Sequence, residues 1–160
     1  MTQATDSRKT AFAVEWREGF AIGIPQLDRE HRHLFSLVLA LRLGTVEQTV
    51  DQLLDYVVTH FSNEQDAMDR SGYPALEQHV KLHEEFASKI ADFLVAGDQW
   101  TEERVQDLRR FLNKWLIAHI MTHDMRFGKW LATHNNPDGP QADPGAPQHG
   151  PMYRLFSEKK

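Results

Sequence analysis

The chain has 160 residues, 41% hydrophobic and 26% charged, enough for one domain around a single core. A formal net charge of −5 without any basic block gives no electrostatic footprint for nucleic acid or an anionic membrane surface. There is no cysteine, which excludes thiolate catalysis, disulfides, Cys-ligated zinc and the usual iron–sulfur ligation. Any metal chemistry must therefore use carboxylates and the nine histidines. The longest apolar run, Leu37 to Leu41, is too short to cross a bilayer. The first ten residues lack the apolar stretch of a signal peptide, so a cytoplasmic location is expected.

Residues 1–10 read as a flexible leader. From Ala11 to Leu27, the apolar Phe12, Trp16, Phe20, Ile22 and Ile24 are interrupted by Gly19, Gly23 and Pro25. That pattern suits an extended arm lying over a core. Four helical patterns follow. The first spans about Asp28 to Leu43, with Leu27, His31, Leu34, Phe35, Val38 and Leu41 on one face. Asp28 is placed to cap it and Gly44 to end it. The second spans about Val46 to Arg70 on a stripe of Val50, Leu53, Leu54, Val57, Phe61 and Met68, and Ser71-Gly72-Tyr73-Pro74 stops it.

The third covers about Ala75 to Ala96, burying Leu76, Val80, Phe86, Ile90, Phe93 and Leu94, with a break at Gly97-Asp98. The fourth starts near a cap at Thr101 and runs through Val105, Leu108, Leu112, Trp115, Leu116 and Ile120 towards Leu131. No strand-like alternation competes. The expected fold is all-α, an up-down-up-down antiparallel four-helix bundle over residues 11–134. Residues 135–160 hold five of the seven prolines and read as a disordered Pro/Gly-rich tail.

Polar residues interrupt these stripes in a pattern. His31 falls on the apolar face of the first helix. His60 and Glu64 lie four apart on the second, His79 and His83 four apart on the third. His119 continues the fourth stripe, and Asp124 follows it. An unpartnered buried polar group costs about 2–7 kcal/mol, and one alone is readily satisfied by water or a carbonyl. Seven on four facing stripes can be satisfied only by each other or by a cation. The i,i+4 spacing places two donors on one face, one turn apart. Five imidazoles and two carboxylates, without sulfur, suit iron, with manganese or zinc as alternatives. They exceed one tetrahedral zinc, but fit two metals if both carboxylates bridge. With one bridging oxygen added, the metal with three His is then filled, and the metal with two His keeps an open position.

The segments Asp28-Arg-Glu-His31, His60-Phe-Ser-Asn-Glu64, His79-Val-Lys-Leu-His83 and Trp115-Leu-Ile-Ala-His119-Ile-Met-Thr-His-Asp124 resemble hemerythrins, most closely the single-domain bacterial members. The lead-in around Trp16 and Gly23-Ile24 resembles the family's N-terminal arm, so the likeness spans roughly residues 12–131. The resemblance implies that His79, His83 and His119 bind one iron and that His31 and His60 bind the other. It also implies that Glu64 and Asp124 bridge the two irons beside an oxo or hydroxo group. Dioxygen would then bind reversibly, without catalysis, in an apolar pocket for which Leu34, Phe61, Trp115 and Leu116 are the candidates.

Helical periodicity and the resemblance disagree at one position. On an ideal α-helix Asp124 lies about 140° around from His119, and His123 only about 40°. Periodicity alone selects His123. The family pattern selects Asp124 and requires a π-type turn, with His123 then beside the ligands. His33, His134 and His149 are expected to be exposed or in the tail, and Asn63 to matter little to the metal.

The expected function is oxygen storage, transport or delivery by a monomer, with an oxygen-consuming enzyme as the partner class. The competing readings are a sensor of oxygen, redox state or nitric oxide, and a di-iron oxidase or peroxidase.

Overall fold

The structure, a computed structural model, describes residues 14–95 and 99–134. The leader 1–10, the Gly97-Asp98 break and the tail 135–160 lie outside the described residues. The architecture is an all-α four-helix bundle, with no strand among the described residues. Its helices are α1 (Pro25–Leu39), α2 (Val46–Ser71), α3 (Leu76–Val95) and α4 (Glu102–His119). The fourth rod continues through a π turn (Ile120–Asp124) into α5 (Met125–His134). Helix α1 packs on α2 and on α4, and α2 packs on α3.

Local chemistry sets most of the helix ends. Thr101 Oγ1 accepts the backbone N–H of Arg104 at 3.1 Å and caps α4, as its position implies. Gly72 closes α2 at φ 72°, a left-handed conformation that glycine adopts without a Cβ clash. Helix α1 departs from expectation. It begins at Pro25, whose fixed φ and missing N–H suit a first helical position, and it ends at Leu39, before a short 3-10 turn at Leu43–Thr45.

Asp28 consequently sits inside the first turn of α1 and does not cap it. Its carboxylate accepts the backbone N–H of Ile22 at 2.8 Å and of Gly23 at 3.2 Å, latching the arm to the helix. The core runs along all four rods, from Leu27, Leu34 and Phe35 on α1 to Leu108, Leu112 and Ile120 on the fourth. Leu76, Phe93 and Leu94, expected inside, are only half-buried near the ends of α3.

Residues 14–24 of the arm are extended apart from a 3-10 turn at Glu18–Phe20, and they close one side of the bundle. Phe20 stacks on Phe35 with ring centres 5.3 Å apart, and Arg32 lies over Trp16. Ile22 is buried against α5 at Gly128, where a Cβ would stand 2.0 Å from the Ile22 carbonyl oxygen. Only glycine lets the arm pass this closely. Gly128→Ala should therefore destabilise the fold by about 1–3 kcal/mol, the usual cost of overpacking, by lifting the arm. A denaturant titration that returned the native midpoint would remove this role from Gly128.

Candidate metal centre

Helix α1 supplies His31, α2 supplies His60 and Glu64, α3 supplies His79 and His83, and the fourth rod supplies His119 and Asp124. All seven are at most 5% exposed. Their donor atoms form two adjacent groups, one of Glu64, His79, His83 and His119, the other of His31, His60, Glu64 and Asp124. Glu64 belongs to both. Its Oε1 lies 2.5 Å from Nε2 of His79 and 3.2 Å from Nε2 of His83, while Oε2 lies 3.5 Å from His31 and 3.4 Å from His60.

Asp124 divides in the same way. Its Oδ1 is 3.1 Å from His79 and 3.2 Å from His119, and its Oδ2 is 3.1 Å from His31. Counting both carboxylates, the first group has three imidazoles and two oxygens, and the second has two imidazoles and two oxygens.

Asp124 reaches this position through the π turn. The N–H of Met125 bonds to the carbonyl of Ile120, one residue further back than in an α-helix. This wider turn brings the fifth residue after His119 back to the bundle axis. His123 is half-buried and contributes a donor to neither group; its ring centre lies 5.4 Å from His119 and 6.3 Å from His79. His33 is exposed.

The donor set fits a cation better than it fits itself. Glu64 Oε2, both Asp124 oxygens and both His31 nitrogens are buried without a hydrogen-bond partner, although nitrogen and oxygen approach to 3.1 Å. Their lone pairs converge on a shared centre instead of pointing at one another. The Nε2 atom of His119 also lies 3.2 Å from those of both His79 and His83, too many lone pairs for a metal-free hydrogen-bond scheme among neutral rings. Bonds of about 2.1 Å place neighbouring donors about 3.0 Å apart around an octahedral metal. Many of the separations here are of that size.

An outer layer orients these rings, and sequence reasoning missed most of it. The Nδ1 of His60 lies 2.8 Å from Glu30 Oε1, and Nδ1 of His83 lies 3.0 Å from Gln65 Oε1. Glu30 is in turn held by Asn63 at 2.9 Å and Gln26 at 3.1 Å. Asn63 was expected to matter little; in the structure it supports the carboxylate that holds His60. Gln26 was expected in the arm, ahead of the first helix, so its i,i+4 pairing with Glu30 follows from the start of α1 at Pro25.

Two aromatic rings fix the first group further. Phe61 stacks on His83 with centres 3.6 Å apart, and Trp115 stacks on His119 at 4.3 Å. Leu34 and Leu116 are buried in the surrounding core. Of the four pocket candidates, Phe61 and Trp115 thus lie mainly against the three-imidazole group.

Electrostatics follow from these contacts. Burial alone would raise the pKa of Glu64 and Asp124, but the surrounding histidines outweigh it and hold both well below the ordinary carboxylate range. Burial would lower His31 and His79, yet their contacts with Asp124 and Glu64 raise them to about 10 and about 9. His83 goes the other way, to about 4, because burial dominates and Glu64 offsets it only in part.

Without a cation, His31 and His79 therefore hold protons at pH 7, which a metal must displace. Metal uptake should strengthen as pH rises towards about 9–10 and should release at least these two protons. Calorimetry at pH 7 in buffers of differing ionisation heat measures this directly; uptake with no proton release would contradict the assignment. The metal-free fold shows the opposite trend. Raised histidine pKa values stabilise it fully below the ordinary value of 6.5, and that contribution is lost as pH rises through about 9–10.

The bundle and its buried cluster of imidazoles and carboxylates place the chain among helical cation-binding domains. Residues 22–131 match the family model described as the hemerythrin HHE cation binding domain. The chain belongs to the hemerythrin family. It is 29% identical over 131 residues to a bacteriohemerythrin of Stenotrophomonas maltophilia, covering 76% of this chain and 83% of that one. It is 34% identical over 115 residues to hemerythrin subunit alpha of Lingula anatina, covering 70% and 90%. A hemerythrin-like protein of Naegleria gruberi is 27% identical over 113 residues, covering 70% and 88%.

Proposed function

We propose that this chain holds two iron ions in the paired donor groups and binds dioxygen reversibly, for storage, transport or delivery. His79, His83 and His119 would hold one ion and His31 and His60 the other, with Glu64 and Asp124 spanning both beside an oxo or hydroxo bridge. The observation that carries this reading is the division of both carboxylates between the groups, which leaves the second group one donor short. Two irons held by these residues would supply the electrons that reversible oxygen binding requires.

The protein's own part is positional. Glu30 takes the Nδ1–H of His60 and leaves its Nε2 lone pair facing the centre. Phe61 and Trp115 keep two imidazoles in place and exclude water from their flank. Imidazole outnumbers carboxylate, and fewer anionic donors stabilise high-valent iron less, which favours reversible binding over oxidation. An oxidase, a peroxidase and a sensor are the outcomes that would displace this reading. No helix among the described residues is long and apolar enough to cross a membrane. A monomer acting in the cytoplasm, with an oxygen-consuming enzyme as its client, completes the proposal.

The test is metal content with the visible spectrum, recorded through reduced, oxygenated and deoxygenated states. Two irons per chain and a charge-transfer band that appears with oxygen and fades on its removal are expected. One iron per chain, or immediate conversion to a stable oxidised form, would overturn reversible binding.

A further inference from the structure

The imidazoles of the metal centre differ in what meets their outer nitrogen. For His60 and His83 the protein supplies an oxygen, from Glu30 and Gln65. For His79 it does not: among the described residues, all its side-chain hydrogen bonds use Nε2. The His79 residue is 97% buried, the complement of its 3% exposure, yet it lines a cavity of about 350 Å³ between α3 and the π turn. Tyr73, Lys81, Leu82, His123 and Arg126 also line it. With Nε2 turned to the carboxylates, the opposite side of the ring, which carries Nδ1, is the side available to this cavity.

The charge and shape of the cavity limit its ligand. Lys81 and Arg126 bring two cations against the single carboxylate of Glu85, and among the described residues neither cation is in an ion pair. Ala75, Leu82 and the Tyr73 ring supply an apolar wall. A bare inorganic anion would leave that wall in contact with water, and an uncharged ligand would leave the cations unmatched.

We propose that this cavity binds a small organic carboxylate, which accepts the Nδ1–H of His79, pairs with Lys81 and Arg126, and lays its apolar part on Leu82. The bound anion supplies from outside the oxygen that Glu30 and Gln65 supply to His60 and His83. It makes His79 more basic and so tunes the metal centre. Binding stands on the cavity alone; the tuning rests on the ligand role proposed above for His79.

The experiment titrates acetate, then benzoate, into the full chain by calorimetry, with inorganic phosphate as the competing anion. The same titrations are repeated on the iron-loaded protein while its visible spectrum is followed. Saturable carboxylate binding is expected, weakened on the order of tenfold in the K81A/R126A variant as two ion pairs are lost. The charge-keeping K81R/R126K variant should bind as the native chain does, which separates lost pairing from misfolding. The visible spectrum should shift with the same midpoint as the heat. No saturable binding, phosphate binding as tightly as benzoate, or binding untouched by K81A/R126A would each overturn the site. Binding without a spectral shift would keep the carboxylate site and overturn its coupling to the metal.

Discussion

Glu64→Ala should cost the chain both metal ions, and Asp124→Ala should do nearly as much. Each of these carboxylates gives one oxygen to the three-imidazole group and the other to the two-imidazole group. Among the described residues, no other serves both. Removing either one takes a negative charge from both groups at once. It also leaves histidines such as His31 buried beside one fewer counter-charge, and breaking a buried pair costs about 3–5 kcal/mol. The metal-free variant should therefore be less stable as well as unable to load.

His31→Ala makes the contrast. It removes a donor only from the second group, so one ion should remain. His123→Ala should keep both, because His123 contributes to neither group. Elemental analysis after gel filtration distinguishes these outcomes. Two ions retained in the Glu64 variant would sink the shared-carboxylate arrangement, and loss of metal in the His123 variant would return the last donor to the position that simple periodicity selects.

The second large effect is expected at a residue that touches no metal. Glu30→Gln keeps the size of the side chain but replaces the carboxylate that holds His60 Nδ1. Loss of such an outer partner typically weakens metal affinity about 10–100-fold. The loss should be confined to the two-imidazole site, because Glu30 contacts only His60 among the seven donors. Asn63→Ala removes one of the two amides that hold Glu30, so it should act in the same direction and more weakly. Chelator competition with iron(II) resolves the two sites; an equal loss at both would mean that Glu30 acts through global stability and not through His60.

The sequence by itself determined the four apolar stripes, the Thr101 cap and the Gly72 stop, and the placing of six of the seven donor residues along those stripes, all but Asp124. Each of these is local. A stripe repeats every three or four residues along one helix, so composition and spacing reveal it without reference to any other helix. Even the π turn was anticipated only through the family resemblance, because hydrophobic periodicity assumes a uniform helix and selects His123.

Only the tertiary structure decided that Asp28 latches the arm, that Gly128 lets Ile22 pass, and that Glu30, Asn63 and Gln65 stand behind the imidazoles. It alone decided which oxygen of Glu64 and of Asp124 faces which group. These contacts join residues on different elements, as the 2.8 Å pairing of His60 with Glu30 joins α2 to α1. They depend on how far each helix is rotated about its own axis in the packed bundle. That rotation is set by the packing of all four rods together, so no single stretch of sequence encodes it.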